Sequence, residues 1–173
     1  MSDATVHSWA RHAPYASFVW MSASVVWHIW MAIFPGSDVD TAGPWGYTAF
    51  IIYDSLIIFM SVVGAVFALA TVSPWGRALP RRLILFPLTV GCVLLVVRGA
   101  PGMIENFLVA TQITPRGVVG VFDSSVPEMS AGEFWSTLAV NSFFFVGALF
   151  LVPTTRSYAR RTRTAPATQK GAH

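Results

Sequence analysis

The chain has 173 residues, of which 54% are hydrophobic and 11% are charged, and its mean hydropathy is +0.60. Soluble domains carry about 25% charged residues, so this composition excludes an ordinary soluble domain. The net charge of +3 and the pI near 9.5 could suit a nucleic-acid-binding protein. The basic residues flank apolar segments, however, so we expect them to act as topology signals and expect no nucleic-acid partner.

Four apolar segments each approach the roughly 20 residues that a helix needs to cross the hydrocarbon core of a membrane. They cover residues 15–34, 47–72, 83–98 and 134–152. This pattern predicts an all-α fold, an integral membrane four-helix bundle formed by residues 1–153. Residues 154–173 are rich in Thr, Ala and Arg and are expected to form a basic disordered tail.

The predicted span boundaries follow local helix signals. The first span is expected to stop at Pro35 and Gly36, and the fourth to begin at Ser130 and Glu133, which fit a capping box, and to end at Pro153.

The third span is the least regular of the four. Pro87 is expected to kink it, and the Gly- and Pro-rich residues 98–102 to break or bend it. Residues 103–113 then form either an outward extension of the span or a short helix across the outer mouth. Residues 114–132 form an outer loop that is long enough to act as a lid.

The distribution of charge predicts the topology. One set of loops and the C-terminal tail hold most of the basic residues, and the alternate loops hold most of the acids: Asp38, Asp40, Asp123, Glu128 and Glu133. The positive-inside rule then puts both termini in the cytoplasm of a multi-pass protein, expected in a bacterial-type plasma membrane.

Asp54 is the most informative residue, because it lies in the middle of an apolar segment. A carboxylate at the centre of a spanning helix costs roughly 2.5–3.5 kcal/mol on insertion scales. Such residues usually face a helix-bundle interior or a wet cavity, where they bind a ligand or move a proton.

A rise of about 1.5 Å per residue predicts the depth of the other polar groups. His28 lies about 9 Å, and Asp54 and Asn141 about 12 Å, below the outer ends of their spans, so three helices contribute to one layer. Just above this layer we expect Arg98, Glu105 and Asn106.

Helical spacing supports this grouping. One face of the first span carries Ser17, Met21, Ser24, His28 and Met31, and one face of the second carries Tyr47, Asp54, Ser61 and Ala68.

Each of these polar residues also has a purely structural interpretation. His28 could be a packed neutral histidine, and Asp54 a structural partner of His28 or Arg98. Arg98 could snorkel to outer head groups, Glu105 could be an exposed loop carboxylate, and Asn141 could hold helices together.

Aromatic residues near this layer have two interpretations. We expect either a lipid-facing aromatic belt or an aromatic wall that binds an apolar or carbocation-like ligand. The candidates are Trp27, Trp30, Tyr53 and Trp135.

Neither a metal nor a cofactor is expected. Cys92 is the only cysteine, which excludes an internal disulfide and a thiolate metal cluster. The Glu-x-x-His pairs of di-iron bundles and a Gly-rich phosphate loop are also absent from the sequence.

Two family resemblances follow from these residues. In their inventory, His28, Asp54, Glu105, Asn141 and Trp135 resemble the EXPERA class of sterol-isomerase-like membrane proteins. That resemblance implies an isomerase whose helical bundle uses His, carboxylate, Asn and Trp side chains. In addition, Trp27-His28-Ile29-Trp30 and the later Arg98-Gly99 resemble small bacterial four-span proteins of the DUF3995 type, a resemblance that implies no activity.

The sequence therefore favours a membrane-embedded enzyme that isomerises or cyclises a lipophilic small molecule. Asp54 or Glu105 would be the proton donor or base, and His28 their partner, while Arg98 would set the pKa of the carboxylate. Arg98, Asn106, Asn141 and the four aromatic candidates would bind the substrate. The alternatives are a non-catalytic lipid-binding or assembly subunit of a membrane complex, and a small proton-coupled transporter working as a homo-oligomer.

Overall fold

The computed structural model describes residues 3–34, 46–114, 116–117, 122 and 127–163, with side chains from His12 onward. Its elements, in chain order, are α1 (Asp3–Ile33), α2 (Gly46–Ala70), a 3-10 helix (Pro74–Ala78), α3 (Arg81–Ala110) and α4 (Ala131–Arg161).

The predicted all-α membrane fold is confirmed. The described part of the chain contains no β-strand, and α1, α2, α3 and α4 are all long and apolar enough to cross a membrane. The chain is therefore a multi-pass membrane protein.

The capping box that was predicted at the start of α4 is present. Glu133 N–H donates to Ser130 Oγ at 3.3 Å, and Ser130 N–H donates to Glu133 Oε2 at 2.9 Å. This reciprocal pair satisfies two backbone donors that have no partner inside the helix.

Two helices continue where proline and glycine predicted an interruption. Helix α3 passes through Pro87 and Pro101 without a break, so residues 103–110 extend the third span and do not form a separate helix. Helix α4 likewise passes through Pro153 and ends at Arg161, so the predicted helix end at Pro153 is wrong, and residues 154–161 are helical and not part of a disordered tail.

Membrane proteins tolerate such prolines, because neighbouring helices and Ser and Thr side chains can satisfy the backbone groups that a proline leaves without a partner.

The chain divides into two compact units, which are described separately. The first comprises residues 1–91 and 150–173, and the second comprises residues 92–149.

In the first unit, α1 and α2 pack through the faces that the sequence predicted. Ser24 Oγ lies 3.2 Å from Ser61 Oγ, and a Cβ built on Gly64 would lie 2.5 Å from Met21 Sδ. A larger side chain at position 64 would therefore require the flexible end of Met21 to move. Ser17 adds a contact with α4, since its Oγ lies 3.1 Å from Thr154 Oγ1.

The remaining core of the first unit is apolar. Its fully buried large side chains are Ile84, Leu88 and Leu151. Close to the ends of the helices, Arg81 Nε donates to Thr162 Oγ1 at 2.8 Å, and Arg161 Nη2 donates to the Thr71 carbonyl at 3.3 Å.

The second unit contains the later part of α3 and the earlier part of α4, joined by a segment that is described only in part. Among the described residues of this unit, the buried polar ones are Asn106, Thr114 and Asn141.

Several predictions fall on residues outside the described part of the chain. They concern the helix stop at Pro35 and Gly36, most of the lid loop, the acids Asp38, Asp40 and Asp123, and the tail from residue 164 onward.

Candidate functional site

His28 and Asp54 form a buried pair between α1 and α2. The distance from His28 Nδ1 to Asp54 Oδ1 is 2.5 Å, and the two residues are only 9% and 1% exposed. The sequence left Arg98 and His28 as alternative partners of this carboxylate, and the structure selects His28.

The pairing arises from the register of the two helices. His28 and Ser24 are four residues apart on α1, while Asp54 and Ser61 are seven apart on α2, so each pair of residues shares a face. The Ser24–Ser61 contact fixes the neighbouring turns, and it brings the histidine opposite the carboxylate.

The geometry of the pair defines its hydrogen bonding. When Asp54 is ionised it can only accept, so His28 Nδ1 carries the proton and donates to Oδ1. A carboxylate held in this way fixes the tautomer and the orientation of the ring. Nε2 is then the ring nitrogen left to meet a substrate.

The second oxygen of Asp54 distinguishes the pair from a simple packing contact. Oδ2 is buried and has no hydrogen-bond partner within the described part of the chain. Buried polar atoms are normally paired, and exceptions often mark catalytic groups or sites for water and ions.

An apolar cavity of about 180 Å³ lies in the same unit. Its lining includes Met21, Met60, Gly64, Phe86, Gly91 and Leu151. Met21 is seven residues from His28, so this part of the lining lies about 10 Å along α1 from the pair. Because ligand pockets usually measure about 300–1,000 Å³, the cavity could hold an apolar segment of a lipophilic molecule but not a whole one.

The aromatic candidates of the first unit lie on its surface. Trp27, Trp30 and Tyr53 are 54%, 51% and 60% exposed. Trp27 and Trp30 also contact each other, with ring centroids 5.4 Å apart. Because these side chains are exposed, they do not line a closed pocket.

The second unit contains a separate polar cluster around Asn141, which is 1% exposed. Arg98 Nη1 donates to Asn141 Oδ1 at 2.6 Å. Asn141 Nδ2 donates to the Gly102 carbonyl at 3.0 Å and to Asn106 Oδ1 at 3.1 Å. A Cβ on Gly102 would clash with the Asn141 amide, so glycine is needed for this contact.

This cluster changes the interpretation of Arg98. The predicted role of tuning a carboxylate has no support, because no ion pair of Arg98 with an acid occurs among the described residues. The arginine instead holds an amide, and its guanidinium carbon lies 5.3 Å from the centroid of the Phe144 ring.

The other predicted residues of this unit have separate surroundings. The half-buried side chain of Glu105 packs against the backbone of Gly117, and it does not join its neighbour Asn106 in the cluster. Trp135 is 65% exposed and packs edge-on against Phe134, with ring centroids 5.5 Å apart. The catalytic role of Glu105 and the shared layer of Asn141 with His28 and Asp54 stay predictions.

Sequence reasoning missed two partners in these clusters. It did not identify Thr154, which contacts Ser17, or Gly102, whose carbonyl binds Asn141. The available signal was the serine stripe on α1, which continues the face of His28 toward the other end of the helix.

The described residues contain no group of three or more His, Cys, Asp or Glu side chains that could hold a metal ion. No protein family profile matches the sequence, and neither the characterised proteins nor the solved structures include a significant match.

Proposed function

We propose that the protein is a membrane-embedded acid–base enzyme of a bacterial-type plasma membrane, which isomerises or cyclises a lipophilic small molecule. The observation that carries this proposal is the buried 2.5 Å contact between His28 and Asp54, with Asp54 Oδ2 left without a described partner. An ionisable residue within a spanning helix is costly and usually functional.

In this proposal, His28 transfers the proton and Asp54 orients it. Asp54 is too buried to meet a substrate directly, whereas His28 retains a small accessible surface. Nε2 would take a proton from one carbon of the substrate and return it to another. The Asp54 carboxylate would stabilise the imidazolium that forms between the two steps.

The proposed reaction neither consumes nor releases a proton overall. One proton leaves the substrate and one returns, so the reaction needs neither a redox partner nor a cofactor. The nearby apolar cavity supports a lipophilic substrate, because it could hold an apolar segment while another part of the molecule reaches the histidine.

The second candidate is a non-catalytic lipid-binding or assembly subunit. It is favoured by the exposed aromatic side chains of Trp27, Trp30 and Tyr53, which could contact lipid or a partner protein. In that case the His28–Asp54 pair would only hold α1 to α2.

The test uses solvent deuterium and does not require a known substrate. Membranes that contain the protein are incubated in D2O, and their lipids are extracted and analysed by mass spectrometry. The proton that Nε2 holds between the two steps would exchange with solvent, so the second step would place deuterium on the substrate. We expect a labelled lipid with the natural protein and at least about a 100-fold slower labelling with Asp54→Asn or His28→Ala, the lower range of acid–base contributions.

Ser61→Ala is the matched control, because Ser61 lies in the same helix interface but outside the pair. It should label the lipid at the natural rate. The catalytic proposal is wrong if no lipid is labelled in a His28-dependent manner. Loss of helical content by circular dichroism in the two variants, without any labelled lipid, would instead support the assembly role.

A further inference from the structure

Arg98 is a cation within a membrane-spanning helix. It lies on α3, which runs from Arg81 to Ala110. At about 1.5 Å per residue, Arg98 is about 26 Å from the first residue of this helix and about 18 Å from the last. An ionisable residue on a membrane-spanning helix usually pairs with another charged group or with backbone carbonyls.

The protein supplies little such pairing for Arg98. One N–H of the guanidinium group binds the neutral Asn141 amide, and the Phe144 ring lies under its carbon atom. Neither partner carries a negative charge, and Arg98 forms no ion pair among the described residues. Because guanidinium has five N–H donors, most of its hydrogen-bonding capacity is left for another molecule.

The orientation of this guanidinium group is built into the fold. Both hydrogen bonds donated by Asn141 Nδ2, to Gly102 and Asn106, require its Oδ1 atom to face Arg98. The amide is almost fully buried, whereas Arg98 is exposed on the surface of the chain. One nitrogen of the guanidinium group is therefore held by the protein, while the residue as a whole is exposed.

We propose that Arg98, held by Asn141 and Phe144, binds a phosphate group. A phosphate supplies the missing negative charge, and it matches the paired donors of guanidinium better than it matches a lysine. The phosphate of a membrane lipid is one source, and free phosphate is the other. This inference does not depend on the His28–Asp54 proposal, because it concerns binding alone.

The first experiment measures protection of the natural protein. The protein is placed in nanodiscs of digalactosyldiacylglycerol, a bilayer lipid without phosphate, and the rate at which phenylglyoxal modifies each arginine is read by peptide mass mapping. Arg156 is the internal reference, because it is an exposed arginine on α4. We expect phosphatidic acid to slow the modification of Arg98 about tenfold relative to Arg156, which corresponds to about 1.4 kcal/mol.

Inorganic phosphate at the same concentration distinguishes the two sources. Protection by phosphatidic acid alone identifies a lipid head group, and equal protection by inorganic phosphate identifies free phosphate. The proposal is overturned if neither protects Arg98, or if Arg98 and Arg156 are protected equally, since that result would reflect general charge attraction.

The second experiment uses variants and native mass spectrometry of bound phosphatidic acid. Arg98→Gln should weaken binding about tenfold, and Arg98→Lys should weaken it less, because lysine keeps the charge but loses the paired geometry. The matched Arg156→Gln variant should bind as the natural protein does. Undiminished binding by a helical, monodisperse Arg98→Gln protein would overturn the proposal. The protection experiment decides it if that variant fails to fold.

Discussion

The strength of the His28–Asp54 interaction is the most direct test of the reasoning about the first unit. Alanine is placed at each position singly and then at both, and the coupling free energy is obtained from the four free energies of unfolding. The loss of packing at each site cancels in this cycle, so the coupling reports the interaction between the two side chains.

The structure indicates the expected magnitude. Hydrogen bonds between membrane helices contribute about 0.6 kcal/mol on average and reach about 1.7 kcal/mol. A short contact between an imidazole nitrogen and a buried carboxylate oxygen indicates a charge-assisted bond, for which about 1.5–3 kcal/mol is expected. We therefore expect a coupling of at least about 1.5 kcal/mol.

Ser24 and Ser61 provide a matched control in the same interface. Their hydroxyl oxygens are 3.2 Å apart and uncharged, so their coupling should be close to the average of about 0.6 kcal/mol. The assay is reversible unfolding in mixed micelles, followed by circular dichroism. A coupling between His28 and Asp54 no larger than that between the serines would refute the charge-assisted interpretation.

Two further predictions test the packing, one in each unit. Asn141→Leu removes the hydrogen-bond partner of Arg98 and that of the Gly102 carbonyl, so it should lower the free energy of unfolding by about 2 kcal/mol. The exposed neighbour Val140 provides the control, since Val140→Leu should leave the free energy of unfolding unchanged. Equal effects of the two substitutions would contradict the role of the Asn141 amide. Gly64→Val should destabilise the α1–α2 interface by about 1–3 kcal/mol, because the added methyl groups meet Met21. The loss is measured by unfolding in micelles, and Met21→Ala in the same chain should restore part of it. An unaltered stability of Gly64→Val, or a failure of Met21→Ala to restore any of it, would show that the two helices are not in close contact there.

Local proline signals were a poor guide to the helix boundaries. Pro101 and Pro153 mark natural ends for helices in water, but both lie inside helices here. The local sequence reports the penalty of a proline, which lacks a backbone donor. It does not report the neighbouring helices and side chains that can satisfy the freed backbone groups in a membrane protein.

The sequence alone determined the class of the protein and the faces of its first two helices. Segment length and apolar composition specify membrane spans, and helical periodicity places His28 and Ser24 on one stripe and Asp54 and Ser61 on another. Both are properties of single segments, so no knowledge of the neighbouring helix was required.

Only the tertiary structure decided the partners of the polar groups. Asp54 had two candidate partners, and the register of α1 against α2 selected His28. Arg98 was expected to set the pKa of a carboxylate, but it donates a hydrogen bond to the Asn141 amide. Gly102 permits this contact, because it has no side chain that would displace the amide. Periodicity specifies which residues share a face. The rotation and register of one helix against another depend on packing at every contact along both, and those contacts exist only in the folded chain.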